Sequence, residues 1–220
     1  MNEFTKPHKN KTTVGMVADM LRDRIMNRHY RDGEFLKQDV LAGEFGVSKI
    51  PVREALIVLE SEGLITFFPN RGAAVATLSP QEAREIYIMR GALESAVMRF
   101  AVPGHTEDDM IKIEYIQARI KREIDAIEWG KLNMEFHMAL SAPARMPYIQ
   151  EQIMLLNRKV VKYFPVYYDN REKMSSVEEH DRIIAAYKKK DTVLAVSILE
   201  QHFKKSLDNL LEFLEKDSKA

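Results

Sequence analysis

The sequence predicts a mainly α-helical chain in two parts: an N-terminal winged helix-turn-helix and a C-terminal antiparallel all-helical bundle of about six helices. Three observations carry that expectation. Only 9 glycines and 8 prolines occur in 220 residues, and 30% of the chain is charged, the balance of a helix-rich protein. Apolar residues recur at spacings of three and four through most of the length, the period of a helix buried on one face. One stretch breaks that period: Leu64-Ile65-Thr66-Phe67-Phe68, then Pro69-Asn70-Arg71-Gly72, then Ala73-Ala74-Val75-Ala76, which reads as a hairpin.

The first part spans residues 1–77. Met1 to Lys11 is polar, with Lys6, Lys9 and Lys11, and reads as a frayed tail. Val14 to Arg28 is a helix with Val17, Leu21 and Ile25 on one side. His29 to Glu34 turns around Asp32-Gly33, and Lys37 to Phe45 is a short helix. Gly46 supplies the next turn. Ser48 is a candidate N-cap, and Pro51 falls in the first helical turn, where its missing N–H costs little. Val52, Ala55, Leu56 and Leu59 then make an apolar stripe, and Gly63 ends the helix. The opposite face begins with Ser48, Lys49, Ile50 and Arg53. That end of a recognition helix reaches base edges and phosphates in the major groove. Arg71 and Gly72, at the tip of the hairpin, are expected on the backbone or in the minor groove. Two such heads imply double-stranded DNA with a roughly palindromic operator.

The second part, residues 78–220, carries the helix signals of a bundle. Ser79-Pro80-Gln81-Glu82 reads as a capping box opening a helix to about Ala101, ended by Pro103-Gly104. Thr106 caps the next helix, another runs from about Ile127 to Leu140, and Pro143 breaks it. Pro147 restarts a helix that ends near Pro165. Ser176-Val177-Glu178-Glu179 reads as a second capping box, opening a helix to about Lys190, and Asp191 caps the last.

Thirty-three cationic and thirty-three acidic residues give zero formal net charge, so DNA binding has to rest on a local patch. The absence of cysteine excludes disulfide and thiolate chemistry. No apolar run approaches membrane-spanning length and the basic N-terminus lacks a signal-peptide core, so a cytoplasmic protein is expected.

One constellation in the bundle suggests coordination chemistry. Asn133 and His137 are four apart on one helix and share a face. His180 falls between apolar Val177 and Ile184, and His202 is one turn after Ile198. Three imidazoles suit zinc or nickel, although any one of them read alone is more often a satisfied core residue. Arg90 puts a charge on an apolar face, either paired with Glu94 or facing a cavity to bind a carboxylate. Arg158 is a second, weaker candidate. Tyr163, Phe164, Tyr167 and Tyr168 form an aromatic cluster that reads as core, dimer face or pocket lining.

Phe45-Gly46-Val47-Ser48, Pro51-Val52-Arg53-Glu54-Ala55-Leu56, Leu59-Glu60-Ser61-Glu62-Gly63-Leu64-Ile65 and Arg71-Gly72 together resemble the GntR family of bacterial transcription regulators. The usual Arg-Thr after the cap serine is here Lys49-Ile50. The bundle resembles the FCD effector domain of the FadR-like branch, through Arg90-Gly91-Ala92-Leu93-Glu94, residues 133–140, residues 179–184 and His202. That resemblance implies a divalent metal held by Asn133, His137, His180 and His202, with Asn133 standing where the family has Asp. It also implies a small organic acid as effector, with Arg90 and Arg158 as candidate partners, and a homodimer. The expectation is a metabolite-responsive DNA-binding regulator rather than an enzyme. The alternatives are a metal-independent regulator with a structural histidine cluster, and a metallo-hydrolase using Glu135 or Glu179 as base.

Overall fold

The computed structural model describes residues 12–164 and 170–217. The chain divides at Thr77/Leu78 into two compact units, each with its own core. Among the described residues there are nine α-helices and one small antiparallel sheet.

In the first unit, α1 (Thr13–Met26) starts at Thr12, whose hydroxyl accepts the Gly15 N–H at 3.2 Å. Val17, Leu21 and Ile25 are buried on its inner side. After β1 (Phe35–Leu36) comes α2 (Gln38–Phe45), then Gly46 at φ +64°, a left-handed turn that costs glycine little. The second helix of the motif, α3 (Lys49–Ser61), buries Val52, Ala55, Leu56 and Leu59 as their spacing requires. Arg22 of α1 donates to both Glu62 oxygens at 2.7 Å, a bidentate clamp on the end of α3.

Strands β2 (Ile65–Phe68) and β3 (Gly72–Val75) form the expected hairpin, with Gly72 at φ +92°. The sheet order is β1-β3-β2, all antiparallel. The sequence did not disclose β1. It has two residues, too short for a period-2 pattern, and exists because Phe35 and Leu36 pair with Ala74 and Ala73. A second difference is at Ser48: its backbone is the extended N-cap of α3, but its side chain makes no capping hydrogen bond.

The second unit holds six described helices: α4 (Pro80–Gly104), α5 (Glu107–Ile120), α6 (Ala126–Ser141), α7 (Pro147–Val161), α8 (Asn170–Lys188) and α9 (Thr192–Asp217). Ser79 accepts the Glu82 N–H, Thr106 and Asp109 form a full capping box, and Asp191 accepts the Leu194 N–H. α4 packs on α9, α9 on α8, and α5 on both α6 and α8. Trp129, Phe136, Tyr163 and Tyr187 fill the core between them.

Ser176 is not a helix start. α8 already runs from Asn170, so Ser176 and His180 lie mid-helix, and the Ser176 hydroxyl is turned to the His180 ring. The S-x-x-E pattern matches a capping box, but the Ser176 side chain turns to His180 one turn along the same helix and Glu179 reaches His202 and Lys205 on α9. Tyr163 and Phe164 are buried in the core; Tyr167 and Tyr168, like the tail 1–11, lie outside the described residues. No described helix is long and apolar enough to cross a membrane.

Candidate functional site

Two places concentrate chemistry, one on the surface of the first unit and one inside the second. On the first, Ser48, Lys49, Ile50 and Arg53 are all exposed at the start of α3, and Arg71 and Gly72 are exposed on the wing. Ile50 is 70% exposed, an apolar side chain with nothing of its own unit over it. The Arg71 guanidinium lies 5.0 Å from the Phe35 ring centre, a cation–π contact that holds it at the wing. Lys49 pairs with Asp39 of α2.

In the second unit the three imidazoles come together. His137 of α6, His180 of α8 and His202 of α9 offer ligand atoms within 4.8 Å of one another. Ring centres are 5.7, 5.3 and 5.0 Å apart for the pairs 137–180, 137–202 and 180–202. All three are buried. Phe136 stacks on His180 at 4.1 Å, and Phe203 on His137 at 5.3 Å, so the cluster has apolar walls.

Each Nδ1 has a partner on a different helix. His137 Nδ1 is 3.0 Å from Glu94 Oε2 of α4. His180 Nδ1 is 3.2 Å from Gln117 Oε1 of α5, and His202 Nδ1 is 2.8 Å from Glu179 Oε2 of α8. Two of those partners are carboxylates, which only accept. The third is also an acceptor, because Gln117 Nε2 is committed to Val177 O and Asp181 Oδ1, both at 3.0 Å. Each ring therefore carries a proton on Nδ1, and His137 and His180, held neutral by burial, leave Nε2 as a lone pair. His137 Nε2 has no hydrogen-bond partner, and neither has the buried Oδ1 of Asn133, one helical turn before it. Ser176 Oγ approaches His180 Nε2 at 3.4 Å.

Burial pushes His137 and His180 down. For His137 the Glu94 carboxylate opposes that shift without reversing it. For His180 the shift is large, with His202 and His137 adding to it. Burial would raise the Glu94 carboxyl, but the Arg90 charge and then His137 hold it below the ordinary carboxylate value. Glu179 is held low likewise, against burial, by His202 and Lys205. Neutral imidazoles with outer-sphere acceptors are the form in which histidine binds a metal.

Arg90 is 1% exposed, and its Nε donates to Glu94 Oε1 at 3.2 Å. Its guanidinium also lies 4.7 Å from the Phe203 ring centre. The cluster thus continues outward from His137 through Glu94 to Arg90. Arg158 is half-buried on α7, against Met154 Sδ at 3.7 Å, and no contact among the described residues joins it to the imidazoles. Glu135 faces Arg119 at 3.6 Å, on the exposed side of α6, and Glu179 is spent on His202 and Lys205. Neither is placed as a free general base.

A family model of the FCD domain matches residues 85–205, and that of the bacterial regulatory proteins, gntR family, matches residues 13–75. The chain belongs to the GntR family. It is 32% identical over 209 residues to the gluconate operon transcriptional repressor of Bacillus subtilis, spanning 88% of this chain and 84% of the relative. It is 27% identical over 223 residues to the Uxu operon transcriptional regulator of Escherichia coli, spanning 90% and 86%. Its fold is similar to a GntR transcriptional regulator of Rhodococcus sp. RHA1, with a TM-score of 0.74 at 23% identity over 90% of this chain and 97% of that one. These relatives are regulators, not enzymes. This GntR chain is a DNA-binding transcription regulator with an FCD domain.

Sequence spacing pointed to the three histidines but not to their outer partners. Gln117 is 63 residues from His180 and Glu179 is 23 from His202, separations at which no local pattern operates.

The lowered imidazoles set a pH dependence. The unfolded chain protonates histidine near pH 6.5, while folded His137 and His180 stay neutral below that. The unfolded state then binds more protons, so stability is full above about pH 6.5 and falls as pH drops through it. Chelator-treated protein should show a lower urea midpoint at pH 5.5 than at 7.5, with a smaller difference in His180→Gln. An equal difference in that variant would remove His180 from the effect.

Proposed function

We propose that this regulator is switched by a small organic acid bound at a divalent metal in the FCD bundle, with zinc or nickel held by His137, His180 and His202. The observation that carries this reading is the set of Nδ1-anchored rings beside the partnerless Asn133 Oδ1. A metal–nitrogen bond of about 2.0–2.1 Å places tetrahedral ligand nitrogens about 3.3 Å apart. Contraction of the cluster by roughly an ångström reaches that.

Charge identifies the kind of effector. Three neutral imidazoles and a neutral amide leave a divalent ion uncompensated. Glu94 and Glu179 are nearby but offset by Arg90 and Lys205. Burying a net charge is costly, so an anion is the ligand the site favours. A carboxylate supplies it, and Arg90, one residue out from His137, favours the same sign. Arg158 remains a candidate only for a longer effector.

In the first unit, Ser48, Lys49, Ile50 and Arg53 meet the major groove and Arg71 and Gly72 the backbone or minor groove of a roughly palindromic operator. Residues 1–77 form the reading head; residues 78–220 bind the effector and make the homodimer. Support for the dimer face is an exposed apolar side of α4, with Met89 46% and Phe100 57% exposed eleven residues apart. A cytoplasmic location follows from the DNA target.

Arg53→Ala should weaken operator binding by about 1–3 kcal/mol, selectively if it contacts a base and evenly across sequences if it contacts phosphate. Operator affinity measured by fluorescence anisotropy that does not change would remove Arg53 from the interface. Residues 78–220, which hold their own core, should sediment as a dimer at micromolar concentration; a monomer would place the interface elsewhere. His180→Ala should lose metal content and the melting-temperature rise on adding zinc, which at a hundredfold excess over Kd corresponds to about 2.7 kcal/mol. Asn133→Asp should tighten the metal, since an anionic oxygen replaces a neutral one. Wild-type protein that purifies without metal, and melts unchanged with zinc or nickel, makes the cluster structural.

A further inference from the structure

Asp39 is an acid on a surface read above as facing DNA. It lies in the first turn of α2 and pairs with Lys49, the first residue of α3. Asp39 and Lys49 line one open cleft of about 690 Å³ together with Lys37, Gln38, Arg71 and Gly72. Its carboxylate therefore shares a surface with the expected wing and recognition-helix contacts, where phosphate would repel it.

Stability does not explain the pair. Both side chains are about two-thirds exposed, 67% for Lys49 and 70% for Asp39, and ion pairs that open to water contribute little. An acid near the N-terminus of α2 eases the helix dipole, but any first-turn position would serve that. What the pair does change is what Lys49 offers. A lone ammonium is a point charge that takes any phosphate or acceptor. An ammonium beside a carboxylate offers a donor and an acceptor side by side.

The major-groove edge of a G·C pair has the matching pattern: two acceptors, guanine N7 and O6, then the cytosine N4 amino donor at the far side. In an A·T pair the donor, adenine N6, sits between two acceptors, N7 and thymine O4. A carboxylate on that donor meets an uncovered acceptor on one flank. We propose that Asp39 is a specificity-determining residue: with Lys49 it reads one G·C pair in each half-site, Lys49 donating to guanine and Asp39 accepting from the cytosine amino group. Elsewhere on DNA the carboxylate faces phosphate or a base acceptor and opposes binding. Asp39 thus sharpens preference by penalising wrong sites.

The proposal rests on the reading of α3 as the DNA-entering helix. The test is selection from a randomised duplex library by the full-length protein, as wild type, Asp39→Ala and Lys49→Ala, each checked by circular dichroism and thermal melting. Wild type should enrich G·C at one position per half-site. Asp39→Ala should lose that preference about tenfold or more, bind random duplex more tightly, and show a salt slope steeper by about 0.9 per head as Lys49 turns to phosphate. Lys49→Ala should relax the same position. An enriched sequence whose pattern Asp39→Ala leaves unchanged overturns the proposal alone. Wild type that enriches no sequence overturns the DNA reading of α3, and this proposal with it.

Discussion

The bundle depends on how its three buried imidazoles are oriented. A ring free to turn would present either nitrogen to its neighbours. Here each Nδ1–H is fixed by an acceptor on another helix, Glu94 on α4, Gln117 on α5 and Glu179 on α8. The three bonds tie α4 to α6, α5 to α8 and α8 to α9. Buried donors without acceptors cost about 1–3 kcal/mol each, so the helices are held to the one arrangement that satisfies all three. The acids are kept ionised in turn, Glu94 by Arg90 and His137, and Glu179 by His202 and Lys205. With every imidazole Nδ1–H partnered, these bonds help specify one packing of the helices.

The two units use electrostatics in opposite regimes. On the reading head, Asp39, Lys49 and Arg71 are exposed, and water and salt reduce each interaction to a small value. In the reading proposed for Asp39 and Lys49, discrimination there comes from the pattern of donors and acceptors. Inside the bundle, Arg90, Glu94 and the imidazoles are withdrawn from water, so one added charge is felt strongly. The zero net charge of the chain fits this division. Neither part relies on a long-range field; each relies on a few placed groups.

Periodicity made the helices legible because burial on one face dictates it: Val52, Ala55, Leu56 and Leu59 are all buried as their spacing requires. Caps with local partners were legible too, as at Thr106 and Asp191. Failures came where another side chain, in the same helix or across the core, displaced the capping partner. Ser176 and Glu179 have the spacing of a capping box, yet one side chain turns to His180 and the other to His202 and Lys205. β1 exists only through its pairing with β3. His137, His180 and His202 stood out by residue type, while Gln117 did not, since a glutamine on a helix carries no signal until its partner 63 residues away is known.

Asn133 couples the packing of the bundle to the charge at its centre. Its Oδ1 is buried without a partner, on the same face as His137, which is a standing cost to the fold. A cation near it removes that cost, so binding stabilises the bundle by linkage as well as by its own bonds. The amide adds no negative charge, so a bound ion would remain short of compensation and an incoming anion would have more to gain than beside an aspartate. Moving a two-state equilibrium from 1:99 to 99:1 needs about 5.5 kcal/mol of differential binding. A homodimer would divide that over two bundles, about 2.7 kcal/mol each. On the proposed function, a neutral donor set would leave the switch to the anion, whereas an aspartate at position 133 would hand part of it to the metal.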